Sequence, residues 1–502
     1  MNLPIKFSLI LIIFVSFLSL FPKLISAQTT KVNIPYFGSN NIGYNQTAIS
    51  WFGKVTPADN YADIRLGYND QILYINAAII DQSLWYDTSS NSDSLDQFDA
   101  ISLYLYTPQK IYKFIGQLNW WEERTNYQKA YTMENGNWIE SSINFTTRTG
   151  WRGDNPLNIG GDRGWNIVFE IPFTSLNQIP YNNWKMALTL HDKDDSTILN
   201  PDKYWPNGVN INLTNTWASL NFGSAQLLRN VTTPVQTLDI RNNVNGASVI
   251  DAHVGGHANC GGGLDYFTTW GEANYTGFDQ INIQNQGDIA DFPCFSKFYI
   301  TFPLDSLPVN KVISSAELLL YQFGSAGEGI TPDNRVPSFI QVLTVKDVWN
   351  ESTINWNNAP QPIENITGTF IDPLAGFPGF PGIERKWNVS YALNEAYISG
   401  KPLDLVMYSS DWEYHSGRYF SSSDTQDWNK NARPLLRVTY ADYLKGDLNF
   451  NGILDLPDIL ELINFIFKED KNDVNIIYYN LNNDQSVDLS DIIDLIELIF
   501  TP

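Results

Sequence analysis

Two stretches near the C-terminus space oxygen-bearing side chains as one hard cation each would need. In the first, Asp447, Asn449, Asn451, Asp455 and Asp458 stand at positions 1, 3, 5, 9 and 12 of a loop. Gly452 at position 6 permits a sharp turn, and the Ile453 carbonyl falls at position 7. Calcium takes six to eight oxygens at about 2.3–2.6 Å, and this spacing folds such a set around one point. Thirty-three residues further on, Asn480, Asn482, Asp484, Asp488 and Asp491 repeat the register, with the Ser486 carbonyl at position 7. Two calcium ions are therefore expected. The second copy carries neutral Asn480 at position 1 and Gln485 at position 6, so its site is expected to be the weaker. A solvated acidic face would not repeat a ligand register twice.

Each loop runs into an apolar stretch, Ile459 to Phe467 and Ile492 to Phe500, expected to be helical. The two helices must pack on each other, with the apolar excess facing a partner. Position 12 is Asp in both copies, where an EF-hand carries Glu, and no helix-forming stretch precedes the first loop. Residues 446–500 resemble a dockerin, built of two loop–helix halves without entering helices. The resemblance implies docking to a cohesin module on a scaffold or cell-surface protein. In that family, loop positions 10 and 11 often recognise the partner. Here they are Leu456-Pro457 and Leu489-Ser490, not the hydroxyl pair common in cellulosomal examples. With Ile463 and Ile496 they are the candidate partner-binding residues, and an intramolecular or non-cellulosomal role stays open.

The elements upstream read as strands. Runs such as Asp63–Tyr68, Leu73–Ala78, Ala100–Tyr106 and Trp165–Glu170 alternate with period two, between Asn-Asp, Asn-Gly and Gly-Gly turns. Phe298–Phe302, Ala316–Tyr321 and Leu435–Tyr440 do the same in a second zone, where the Pro/Gly-dense Asp372–Gly382 must be a turn region and no helix of consequence is expected. The fold class is multidomain and mostly β: two β-sandwich, jelly-roll-like modules over 28–222 and 230–441, then a small α-helical unit with two calcium loops over 445–502.

In the second zone, the strand at Lys297–Phe302, Ile313–Tyr321, Val348–Trp356 and Arg433–Tyr440 resemble, in that order, the DNRLRE (disaggregatase-related) domain, also seen as family-96 carbohydrate-binding modules. Trp349 and Trp356 fit that pattern as core or loop-anchoring residues. The first zone is similar to family-9-like carbohydrate-binding modules through Ala62–Tyr68, Gln71–Asp81, Asp96–Ile101 and Trp165–Phe173. Sugar binding needs aromatic faces beside carboxylates or amides. Trp120, Trp121 and Trp205 are the candidates, the alternative being that they fill the core.

Composition narrows the partners. The formal charge is −23, which argues against nucleic acid, and aromatics reach 14%. Lys6 precedes an apolar run from Phe7 to Phe21, and Ala27 offers a cleavage point. Residues 1–27 are therefore expected to be a signal peptide, leaving a secreted or cell-surface protein with no membrane span. Export favours a Cys260–Cys294 disulfide over two free thiols. His253-x3-His257-x2-Cys260 has zinc-like spacing, but shows only three ligands. No catalytic residue is assigned. The expected function is non-catalytic polysaccharide binding with cohesin attachment. The alternatives are a glycoside hydrolase or polysaccharide lyase, whose acid pair no spacing can place, and a structural surface component.

Overall fold

The computed structural model describes residues 30–89, 94–119, 124–153, 161–180, 183–257, 260–327, 336–345, 347–467, 476–484 and 486–501. The expected signal peptide lies outside them. Among the described residues, no helix is long and apolar enough to cross a membrane. Every alternating run quoted above lies in a strand. The turns follow the same local chemistry. Asn135 and Gly136 both have positive φ (50° and 81°) and join Gln128–Glu134 to Asn137–Ser141 in a two-residue hairpin.

The first module packs two sheets over one core. One sheet is antiparallel, in the order Ala48–Thr56, Asp59–Tyr68, Ile72–Ile80, Gly164–Pro172, Thr146–Arg152. The facing strands include Trp184–His191, Ala100–Tyr106 and Ile111–Gln117. Ile64, Leu66, Ile75, Leu103, Phe114, Trp165, Phe169 and Leu188 fill the space between. The second module repeats the plan. Gln236–Arg241, Leu435–Asp442, Lys311–Ser325, Arg418–Ser421 and Gln280–Ile283 form one sheet, with Ile383–Asn388 beside Lys311–Ser325. Ile250–Gly255, Ser296–Phe302, Leu403–Ser409, Ser338–Val345 and Pro362–Ile371 form the other.

The modules are fused twice. Lys31–Ile34 pairs in parallel with Ala218–Phe222, and Lys31 also pairs with Glu364 of the second module, so one sheet runs through both. A third apolar cluster then buries Ile49, Trp51, Tyr61 and Ile80 of the first module against Trp270, Phe292, Phe295, Tyr299, Trp356 and Tyr408 of the second. Alternation had implied half-buried strands, yet Asp59–Tyr68 is buried on both faces because the second module covers the side bearing Tyr61, Asp63 and Arg65. Trp349 and Trp356 sit in this joint, as core residues.

No helix of consequence was expected in the second zone. The zone nevertheless holds a helix, Ser390–Ser399, capped by Gly400 at φ 63°. Its consecutive buried Tyr391, Ala392 and Leu393 show no single apolar stripe, which hid the helical period.

The C-terminal helices are Leu456–Ile466 and Leu489–Phe500. Both begin a turn earlier than the apolar pattern indicated, because Asp455 and Asp488 cap them in reciprocal boxes with Asp458 and Asp491. Leu448, Phe450, Leu462, Phe465, Leu481 and Leu495 form their shared core, which also takes in Val312 of the second module.

Candidate glycan and cation sites

The two loops are built alike from their position-12 carboxylates outward. Asp458 is fully buried. Its Oδ1 accepts from the Leu448 and Asn449 N–H groups (2.9 and 3.2 Å), and its Oδ2 accepts from the Asp455 N–H (3.0 Å). Asp491 does the same with Leu481, Asn482 and Asp488 at 2.7, 3.3 and 2.9 Å. Phe450 and its counterpart Asn483 both adopt φ 58°, and Gly452 adopts 85°, which bends the chain back over the side chains.

Position 1 separates the copies. Asp447 accepts from the Asn451 and Gly452 N–H groups (3.1 and 2.7 Å). Burial, and to a lesser degree Asp458, push its carboxyl up. Asn480 instead donates its Nδ2 to the Asp484 carbonyl at 2.8 Å. The side chains of Asn449, Asn451, Asn482, Asp484 and Asp488 turn oxygens toward neighbouring N–H groups of their own loops. Asp455 Oδ1 and Asn480 Oδ1 are buried without a hydrogen-bond partner. Orphaned oxygens in a set of hard donors suit calcium. Gln485 lies outside the described residues. Of the candidate partner-binding residues, Leu456, Pro457, Leu489 and Ile496 are exposed, whereas Ile463 and Ser490 are half-buried.

The sugar-binding candidates fare differently. Trp120 and Trp121 lie outside the described residues. Trp205 is 1% exposed, packs in the first-module core and donates its Nε1–H to Ser50 Oγ at 3.0 Å, so it offers no face to a glycan. The sequence reading had missed a different aromatic group. Phe377 and Phe380 in the Pro/Gly loop and Trp428 beside the last strand are 57%, 63% and 67% exposed. Their rings meet edge to face, at 5.0 Å between Phe377 and Phe380 and 4.7 Å between Phe380 and Trp428. Glu384 and Asn431 follow the two ends of this platform, where Asn431 Oδ1 accepts from Arg241 and Glu384 Oε2 accepts from Tyr321. A signal existed: Phe377-Pro378-Gly379 repeats as Phe380-Pro381-Gly382, and such a loop has no core to hide its rings in.

Other chemistry-bearing groups resolve as structure. Cys260 is bonded to Cys294, which removes the thiolate from the zinc reading. His253 is buried against Tyr275, and burial, then His257, lowers its imidazole to about 3. Ser102 Oγ, His191 and Asp202 form a hydrogen-bonded chain of 2.8 and 2.7 Å, the order used by nucleophile, base and acid. Ser102, however, is wholly buried in a strand paired on both sides, beyond the reach of any substrate carbonyl. Asn274-Tyr275-Thr276 has the Asn-x-Thr spacing of a glycosylation acceptor, but the Asn274 Nδ2 already donates to the Glu351 and Ile354 carbonyls.

Residues 268–372 match the family model of carbohydrate-binding module family 96. No curated protein matches the chain. Among solved structures, a family 9 carbohydrate-binding module from Caldicellulosiruptor kristjanssonii in complex with cellotriose aligns at 16% identity and TM-score 0.27, over 39% of this chain and 95% of that one. A putative carbohydrate-binding protein from Bacteroides uniformis aligns at 10% identity and TM-score 0.30, over 39% and 100%. At such scores neither likeness bears on the fold.

Proposed function

We propose that the chain is a non-catalytic polysaccharide-binding protein, secreted and held to a cohesin-bearing scaffold or cell surface by its C-terminal calcium-dependent unit. The observation that carries the binding half is the exposed Phe377–Phe380–Trp428 platform, beside a segment that matches a carbohydrate-binding family model. Aromatic faces stack on the apolar faces of pyranose rings, while neighbouring amides and carboxylates take hydroxyls. The attachment half rests on the duplicated loops with their orphaned oxygens and on the apolar residues left outward at matched positions, Leu456 with Leu489 and Leu460 with Ile493. Asp447, Asn449, Asn451, Asp455 and Asp458 would hold one ion, with the Ile453 carbonyl. Asn480, Asn482, Asp484, Asp488 and Asp491 would hold the other, with the Ser486 carbonyl. Bound calcium would supply the positive charge that lets these oxygens share one loop.

Retention on insoluble polysaccharides tests the first half. Wild type should be retained on at least one, and Trp428→Ala with Phe380→Ala should lower retention at least tenfold at unchanged melting temperature. For the second half, calorimetry should detect calcium, and a purified cohesin panel should contain a binder that chelator releases. No heat on calcium addition would remove the attachment reading and leave the binding reading standing.

A further inference from the structure

A cleft of about 550 Å³ opens where the two modules join, and none of the described residues lining it carries a charge. In a chain with 85 acidic and basic side chains, from 54 Asp+Glu and 31 Lys+Arg, this is a selective omission. The first module contributes Asn33, Pro35, Gln46 and Ala48; the segment 223–228 passes along it; the second module contributes the rest. Two irregularities shape the second-module side. The pairing register slips past Ser314, and again past Ile366, both of which line the cleft. Such bulges re-aim side chains out of the ladder. Phe339 supplies an aromatic wall. Its ring lies over Gly368, where a Cβ would stand 2.3 Å from it, so only glycine leaves room for the ring there.

Polar groups in the cleft are amides and hydroxyls. The side-chain amides of Gln46 and Gln226 make no hydrogen bond among the described residues. Asn388 accepts from Ser390 through Oδ1, which leaves its Nδ2 donors open. Asn33, by contrast, is spent on Glu364 and Asn365 and holds the floor rigid. A phosphate, carboxylate or ammonium entering here would find no charged side chain on the wall, since Glu364 behind Asn33 is already paired with Lys31, and a strongly anionic protein repels polyanions at a distance. Hydroxyl-rich uncharged rings are the ligand whose donors and acceptors this lining matches, and the volume is that of an ordinary small-ligand site.

We infer that the inter-module cleft is a second glycan site, specific for uncharged oligosaccharides and separate from the aromatic platform. This deepens the carbohydrate-binding reading and rests on it. The test is isothermal titration of the full chain with cellohexaose, xylohexaose, mannohexaose and hexagalacturonate. Three variants are compared: Ser315→Trp, which fills the cleft; Gln46→Ala with Gln226→Ala, which only trims surface amides; and Trp428→Ala with Phe380→Ala on the platform. At least one neutral hexasaccharide should bind. Its affinity should fall at least tenfold in the amide variant, vanish in Ser315→Trp, and persist in the platform variant. Hexagalacturonate should not bind. Should Ser315→Trp fail to fold, the amide variant decides alone. The cleft is rejected if neutral hexasaccharides ignore the amide variant, if the platform variant abolishes their binding, or if hexagalacturonate binds more tightly. It is also rejected, with the carbohydrate reading intact, if wild type holds insoluble polysaccharide but no soluble hexasaccharide. Failure of wild type on every glycan, soluble and insoluble, removes both readings.

Discussion

Asp458 shows how one side chain can serve both a fold and an ion. Its carboxylate takes three backbone N–H groups that end a loop and start a helix. Asp458→Ala would orphan all three in a buried place. At roughly 1 kcal/mol per lost hydrogen bond, the C-terminal unit should lose about 3 kcal/mol even without calcium. Urea unfolding followed by helical circular dichroism, in chelator and in calcium, measures it. An equal loss from Asp491→Ala would show that the loops share architecture, and a smaller calcium-dependent increment at Asp491 would show that the second site is weaker. If Asp458→Ala changes neither baseline nor calcium increment, the assigned role of position 12 is wrong.

At the scale of elements, the joint between Asp59–Tyr68 and Ser296–Phe302 holds a charge that burial disfavours. Lys297 lies under the rings of Trp356, Trp51, Tyr61 and Tyr408, at 3.5, 4.4, 4.4 and 5.2 Å from their centroids. Asp63 opposite accepts from Tyr61, Tyr408 and Asn285. Burial pushes the Lys297 amine well below the usual lysine range, against the pull of Asp63. The folded state therefore binds fewer protons than the unfolded chain in the window between the two pKa values. Stability from this group rises with pH through that window and levels off above the unfolded lysine value near 10.4. We expect wild type minus Lys297→Met to show a positive slope of up to about 1.4 kcal/mol per pH unit on the alkaline side of neutrality. We also expect Lys297→Met to be no less stable at pH 7, since an apolar chain of similar length keeps the packing. Parallel stability–pH curves for the two proteins would show that the lysine stays charged in its cage.

For the whole molecule, the shared sheet and the third apolar cluster make the β modules one folding unit. Trp51, Tyr61, Ile80, Trp270, Phe292 and Tyr299 would all face water if the chain were cut between them. Segments 28–222 and 230–441 expressed alone should aggregate or melt far below the intact chain, and together they should reassociate into a 1:1 complex. Light scattering and calorimetry check this. Two soluble, well-folded monomers would show that the joint contributes little. Chelation, in contrast, should lower the helical signal of 445–502 and leave the β transition in place, because of the buried residues in the C-terminal core only Val312 belongs to a β module.

Local and periodic information was legible in the sequence alone. The 33-residue repeat of Asp and Asn, the alternating runs and the cysteine pair each depend on neighbours in the chain or on a single geometric rule, so types and spacings sufficed. Where a face points is a different matter. Tyr61, Asp63 and Arg65 occupy the polar phase of a strand and yet face another module, Trp205 lies in a core, and two phenylalanines of a turn stand in solvent. A period-two pattern says that a strand has two faces, but what covers each face depends on residues hundreds of positions away. The uncharged cleft has the same origin. Its lining comes from segments between Asn33 and Tyr391, brought together only when one parallel strand closes a sheet across both modules.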